Sequence, residues 1–139
     1  MKGLVHIYEG TGKGKSTAGV GLTIRCAGNG FPVVYSQFLK DGTTGEMNIL
    51  RKIPNITVLV EEHHFGFSFL MTPEEKVEAK AAYTALFEKV KAAAVEQNAR
   101  LLVMDEMLDL CNAELIDTAM VVDFLKNRPE QLEVVMTGR

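Results

Sequence analysis

The most constraining feature of this chain is a short apolar run, residues 4–8, that passes directly into Gly10-Thr11-Gly12-Lys13-Gly14-Lys15-Ser16-Thr17. An apolar run with no alternation reads as a strand buried on both faces, and such strands belong to parallel sheets. The glycines that follow demand a tight loop. Helical spacing of Ala18, Leu22 and Ala27 then predicts a helix over 15–27, stopped by Gly28-Asn29-Gly30. Strand, glycine loop and helix in this order form a cradle for phosphate. Glycines let several backbone N–H groups face one anion, and the helix N-terminus adds partial positive charge. Lys15 can neutralise phosphate oxygens, and the Ser16 hydroxyl can reach a magnesium ion. The usual phosphate-loop pattern has one more residue, because Glu9 stands where its first glycine would be.

The rest of the chain repeats the alternation. Runs at 32–38, 56–60, 101–106 and 132–136 read as strands, and helices are expected over 46–52, 73–98 and 115–127. Thr72-Pro73-Glu74-Glu75 supplies a cap, a proline at the first helical position and a glutamate three after the cap. On the helix that follows, Val77, Ala81, Phe87, Val90 and Ala94 are expected along the buried side. The pattern predicts an α/β fold: a P-loop NTPase-like three-layer sandwich, its mainly parallel sheet of about five strands covered by helices on both faces. In 139 residues with 47% hydrophobic content, one domain spanning 1–139 is expected.

Ligands of such sheets sit at the carboxyl ends of the strands. Asp105-Glu106 closes the run at 101–106, where a carboxylate lies beside the phosphate loop and can hold magnesium directly or through water. Residues 61–71 show no period yet carry His63, His64, Phe65, Phe67 and Phe69, an aromatic load that wants a partner surface. The two histidines read as a solvated pair rather than metal ligands. Cys26 and Cys111 are too few for a disulfide framework or a zinc site and read as reduced packing residues.

A net charge of −3 argues against a nucleic-acid partner. No apolar stretch approaches the roughly 18 residues of a bilayer span, so no membrane partner is expected and the chain reads as cytoplasmic.

Taken together, these motifs resemble the P-loop class of ATP:corrinoid adenosyltransferases. The likeness runs through the short glycine loop, Arg25-Cys26-Ala27-Gly28-Asn29-Gly30, Gln37-Phe38-Leu39-Lys40 with Gly45-Glu46, and Gly66-Phe67-Ser68-Phe69. It continues through Asp105-Glu106, Asn127-Arg128-Pro129 and Thr137-Gly138-Arg139. The resemblance implies transfer of the 5′-deoxyadenosyl group of ATP to the cobalt of a reduced corrinoid, with triphosphate leaving whole. By the same likeness, Gly10, Thr11, Gly12, Lys13, Gly14, Lys15, Ser16 and Thr17 hold ATP with Arg25, Gln37, Phe38, Lys40 and Glu46. Ser16, Asp105 and Glu106 hold Mg2+, Lys15 acts on the leaving group, and Phe67 and Phe69 press on the corrinoid. A reduced flavin or flavoprotein as electron donor and a homodimer are also implied. The family pattern continues beyond the Thr-Gly-Arg strand, so a C-terminal segment is expected to be lacking here. Two other readings of the phosphate loop are a generic P-loop ATPase or small-molecule kinase, and a non-catalytic nucleotide- or corrinoid-binding module.

Overall fold

The structure, a computed structural model, describes residues 2–10, 14–40, 42–63, 65–66 and 68–139. Within them the order is β1 (Val5–Glu9), α1 (Lys15–Gly28), β2 (Val33–Gln37), α2 (Gly45–Leu50) and β3 (Ile56–Val60). There follow α3 (Pro73–Glu96), β4 (Leu101–Asp105), α4 (Met107–Asn112), α5 (Thr118–Asn127) and β5 (Glu133–Gly138), with a 3-10 turn at Ser68–Leu70. The strands make one sheet in the order β1-β5-β4-β2-β3, and every pairing is parallel.

Alternate strand residues feed two cores, which is what a sheet covered on both faces requires. Val34, Leu102, Met104, Val134 and Met136 pack under α3, α4 and α5, against Phe87, Val90, Met107, Leu110 and Phe124. Val33, Tyr35, Leu101, Val103 and Val135 point the other way, toward Ala27 of α1 and Met47 and Leu50 of α2. The three-layer α/β expectation holds, and the sheet is parallel throughout.

Several boundaries differ from the sequence expectation. α4 was not anticipated: Glu106 adopts a left-handed backbone (φ 64°) that ends β4 and lets a helix start at once. α5 begins at Thr118 rather than 115, because the Asp117 side chain caps it by accepting from Ala119 N–H at 3.0 Å. β5 runs on through Gly138, bringing Thr137 into the ladder. On α3 the predicted capping box is present, Thr72 and Glu75 bonding reciprocally. Its buried side is Ala79, Tyr83, Leu86, Phe87, Val90 and Ala94, whereas Val77 and Ala81 face solvent. The correction is one of phase: at about 100° per residue, positions 77 and 81 lie opposite the stripe set by 79, 83, 86 and 90.

Candidate active site

Parallel strands bring their carboxyl ends to one edge, and four such ends build the site. From the end of β1, Gly10 N–H donates to the Gly138 carbonyl at 3.1 Å, tying the start of the glycine loop to β5. Gly14, left-handed at φ 100°, is the N-cap of α1 and leaves the first N–H groups of that 14-residue helix without a side-chain cap. Such a terminus favours an anion. Lys15, Ser16 and Thr17 follow it on the first turn.

Across from this turn stands Asp105, with its side chain fully buried at the end of β4. Its carboxylate accepts from Ser16 Oγ at 2.8 and 3.1 Å, from Thr137 Oγ1 at 2.6 Å and from Lys40 Nζ at 3.1 Å. Lys40 Nζ also donates to Ser16 Oγ at 3.3 Å and lies 3.8 Å from Glu106 Oε1. A buried carboxylate needs such partners, since an unpaired charge out of water is costly. Thr137 is doubly used, because its hydroxyl oxygen also accepts the Glu106 N–H at 2.8 Å.

Charges in the cluster respond to this geometry. Burial works against the Lys40 ammonium, but the carboxylates of Asp105, Glu106 and Glu46 outweigh it and hold its pKa above the ordinary lysine value. Burial pushes the Glu106 carboxyl up; Asp105 and Asp109 add to that, while Lys40 and Arg139 oppose it.

Two clefts open here. One, of about 300 Å³, is lined by Gly14, Lys15, Ser16 and Thr17 on one side and by Glu106, Asp109, Thr137, Gly138 and Arg139 on the other. A second, of about 520 Å³, is lined by Leu39, Gly66, Ser68 and Phe69 together with Asn112 and Ala113, and it shares Glu106, Asp109 and Arg139 with the first. Phe69 is 78% exposed on its 3-10 turn, a large apolar ring held at a cleft wall. Phe65 has found a partner in the fold, its ring 5.7 Å from Tyr83 and 4.4 Å from His63.

The anticipated residues divide accordingly. Gly14, Lys15, Ser16, Thr17, Lys40, Asp105 and Glu106 are brought together, with Gly10 anchoring the loop. Thr11, Gly12, Lys13, Phe67 and His64 lie outside the described residues. Phe38 is fully buried in the core, its ring 6.4 Å from Tyr83, and its side chain is not among those that line either cleft. Gln37 is likewise fully buried, donating from Nε2 to Thr44 Oγ1 and Glu46 Oε1, each at 3.3 Å, so that Gln37 and Glu46 brace the turn before α2. Arg25 is not brought to the loop. It is exposed ten residues along α1 from Lys15, roughly 15 Å at the helical rise, in a groove with Phe31, Arg100 and Glu133 at the other end of the sheet.

Residues of the shared cleft region that the sequence reading did not assign to the site include Asp109, Thr137, Gly138 and Arg139. Thr137 and Gly138 follow an apolar run at a strand end, the same signal that marked Asp105. Asp109 had no separate signal, since α4 itself was missed. Gly138 allows close approach: at φ 141°, a Cβ there would meet Leu108 Cβ at 2.8 Å and Asp109 N at 2.9 Å.

Among the described residues no three His, Cys, Asp or Glu side chains cluster as a metal cage. Magnesium does not need one, because it retains waters and takes oxygens from substrate phosphates. Ser16 Oγ and Asp105 supply the hard oxygens it prefers, and an ammonium already seated between them marks the spot as cation-binding. The residues fit that ion.

A family model described as ATP:corrinoid adenosyltransferase BtuR/CobO/CobP matches residues 1–139. The corrinoid adenosyltransferase of a Sinorhizobium species is 32% identical over 140 residues, covering 99% of this chain and 64% of that protein. That of Escherichia coli K12 is 29% identical over 140 residues, with 99% and 68% covered. That of Pseudomonas aeruginosa is 27% identical over 139 residues, with 99% and 67% covered. The chain spans about two thirds of the length of these relatives.

Proposed function

The chain belongs to the ATP:corrinoid adenosyltransferase family, and from that premise we propose that it transfers the 5′-deoxyadenosyl group of ATP to the cobalt of a reduced corrinoid. The observation that carries this reading is the pair of adjoining clefts with a common wall of Glu106, Asp109 and Arg139. The smaller suits a triphosphate, with the α1 N-terminus and Lys15 at its side. The larger, with Leu39 and Phe69, suits a flat apolar macrocycle.

In this reading the electron pair of cobalt(I) forms the bond to the ribose C5′ as the C5′–O5′ bond breaks, and the bonding pair leaves with the triphosphate. No proton is removed from the reacting carbon, so no general base is needed. Negative charge grows on the leaving group, and donors that meet it more strongly then than in the ground state lower the barrier. Lys15 and the first-turn N–H groups are those donors. Lys13 is proposed to join them. Ser16 and Asp105, with Glu106 at the outer edge, would hold the magnesium ion. When bound, that ion supplies positive charge against the phosphate oxygens. Phe69, and with it Phe67, acts as an apolar wedge that displaces the corrinoid's lower axial ligand and eases reduction to cobalt(I). A reduced flavin or flavoprotein would deliver the electron, and a homodimer is the proposed assembly, which sedimentation equilibrium tests directly. The reaction itself is tested by mixing the protein with magnesium, ATP and chemically reduced cobalamin. The optical spectrum should change from that of cob(I)alamin to that of an alkylcobalamin, and no change with folded protein would refute the proposal.

A further inference from the structure

The oxygen cluster offered to magnesium already holds a cation of the protein's own. Lys40 Nζ takes the Asp105 Oδ2 lone pair at 3.1 Å and the Ser16 Oγ lone pair at 3.3 Å, with Glu106 Oε1 3.8 Å away. A divalent ion coordinated by Ser16 and Asp105 needs those same lone pairs. It would also repel an ammonium at this range, so the two cations exclude each other. Asp105 cannot stand alone either, since it is fully buried. Lys40, in contrast, is built to leave. Its side chain is one quarter exposed, its stem has four carbons, and it follows Leu39, whose left-handed backbone (φ 64°) turns the chain out of β2 beside the cleft.

We propose that Lys40 is the resident counter-ion of the magnesium site, neutralising Asp105 until the magnesium–nucleotide complex displaces it and turns its ammonium onto the phosphates. This rests on the nucleotide reading given above. Two consequences separate it from an ordinary ion pair. Free divalent metal must compete with Lys40 and so binds weakly. Metal that arrives with nucleotide gives the displaced ammonium new acceptors, so metal and nucleotide bind cooperatively through Lys40.

The test is manganese binding, followed by electron paramagnetic resonance with and without ATP and with no corrinoid present, in the parent protein and in Lys40→Met. Without ATP, Lys40→Met should bind Mn2+ at least about tenfold more tightly than the parent, within the ordinary range of such couplings. The gain in Mn2+ affinity conferred by ATP should shrink in the variant. Equal or weaker Mn2+ binding by Lys40→Met without ATP would overturn the proposal. Because removing the counter-ion of a buried carboxylate can impair folding, Lys40→Gln is assayed in parallel by thermal denaturation. Mn2+ should raise its midpoint more than that of the parent, and equal shifts would again overturn the proposal. A parent protein that gains no Mn2+ affinity from ATP contradicts the nucleotide reading itself. A parent that gains it while Lys40→Met behaves identically removes only the role of Lys40.

Discussion

Thr137→Val is the substitution that most directly probes how the fold holds its buried carboxylate. Valine keeps the shape of threonine and removes only the hydroxyl, whose oxygen donates to Asp105 at 2.6 Å and accepts the Glu106 N–H at 2.8 Å. Thr137 is 1% exposed; its bond to Asp105 is buried, and its bond from the Glu106 N–H is partly so. Loss of a hydrogen bond to a charged acceptor costs about 1.5–3 kcal/mol, and an orphaned buried N–H about 1–3 kcal/mol more. The two share one atom and will not add fully, so the expected loss is about 3 kcal/mol, or around 10 °C in Tm for a chain of this size. Urea denaturation followed by circular dichroism measures it. Thr137→Ser, which restores the hydroxyl, should recover most of the loss. A Thr137→Val protein within about 1 kcal/mol of the parent would show that Asp105 is not held in the way described.

Other perturbations read other parts of the site. Gly138→Ala drives a Cβ into Leu108 and Asp109 at a φ that disfavours side chains, and should cost about 2–4 kcal/mol in thermal unfolding; unchanged stability would contradict the close approach of α4 to β5. Lys15→Ala should abolish nucleotide binding in a calorimetric titration, whereas Phe69→Ala should spare it and slow reduction of bound cob(II)alamin; equal loss of ATP affinity in both would undo the division between the clefts. Glu106 carries a folded pKa raised above its ordinary 4.5, so its favourable contribution is complete below 4.5 and disappears as pH rises through the folded value. Glu106→Gln should therefore gain stability over the parent between acid and neutral pH, and a difference independent of pH would count against the burial assigned to that carboxyl.

Much of the architecture could be read from local pattern, because strands buried on both faces are written as unbroken apolar runs. Val33 and Val34 need no alternation when each faces a core of its own. Where apolar residues crowd a helix all round, the same logic loses phase, and the pattern points to Val77 and Ala81 of α3 rather than to the buried Tyr83 and Leu86. Short α4 was hidden because nothing in Glu106 announces a left-handed residue that can end a strand and begin a helix within one step. In the site, the glycine loop and Asp105-Glu106 are each legible because each directly adjoins an apolar strand run, β1 for one and β4 for the other. What the sequence alone could not supply was contact across distance: Lys40 and Thr137 reach Asp105 from 65 and 32 residues away. Sheet order decides such meetings, whereas the length of α1 carries Arg25 to the other end of the sheet.

Phosphorus NMR of the nucleotide products, after incubation with magnesium, ATP and cob(I)alamin, tests most directly whether carbon is the atom attacked. Triphosphate released intact, in step with formation of the cobalt–carbon bond, is the predicted result. ADP with inorganic phosphate, and cobalamin left unalkylated, would contradict it.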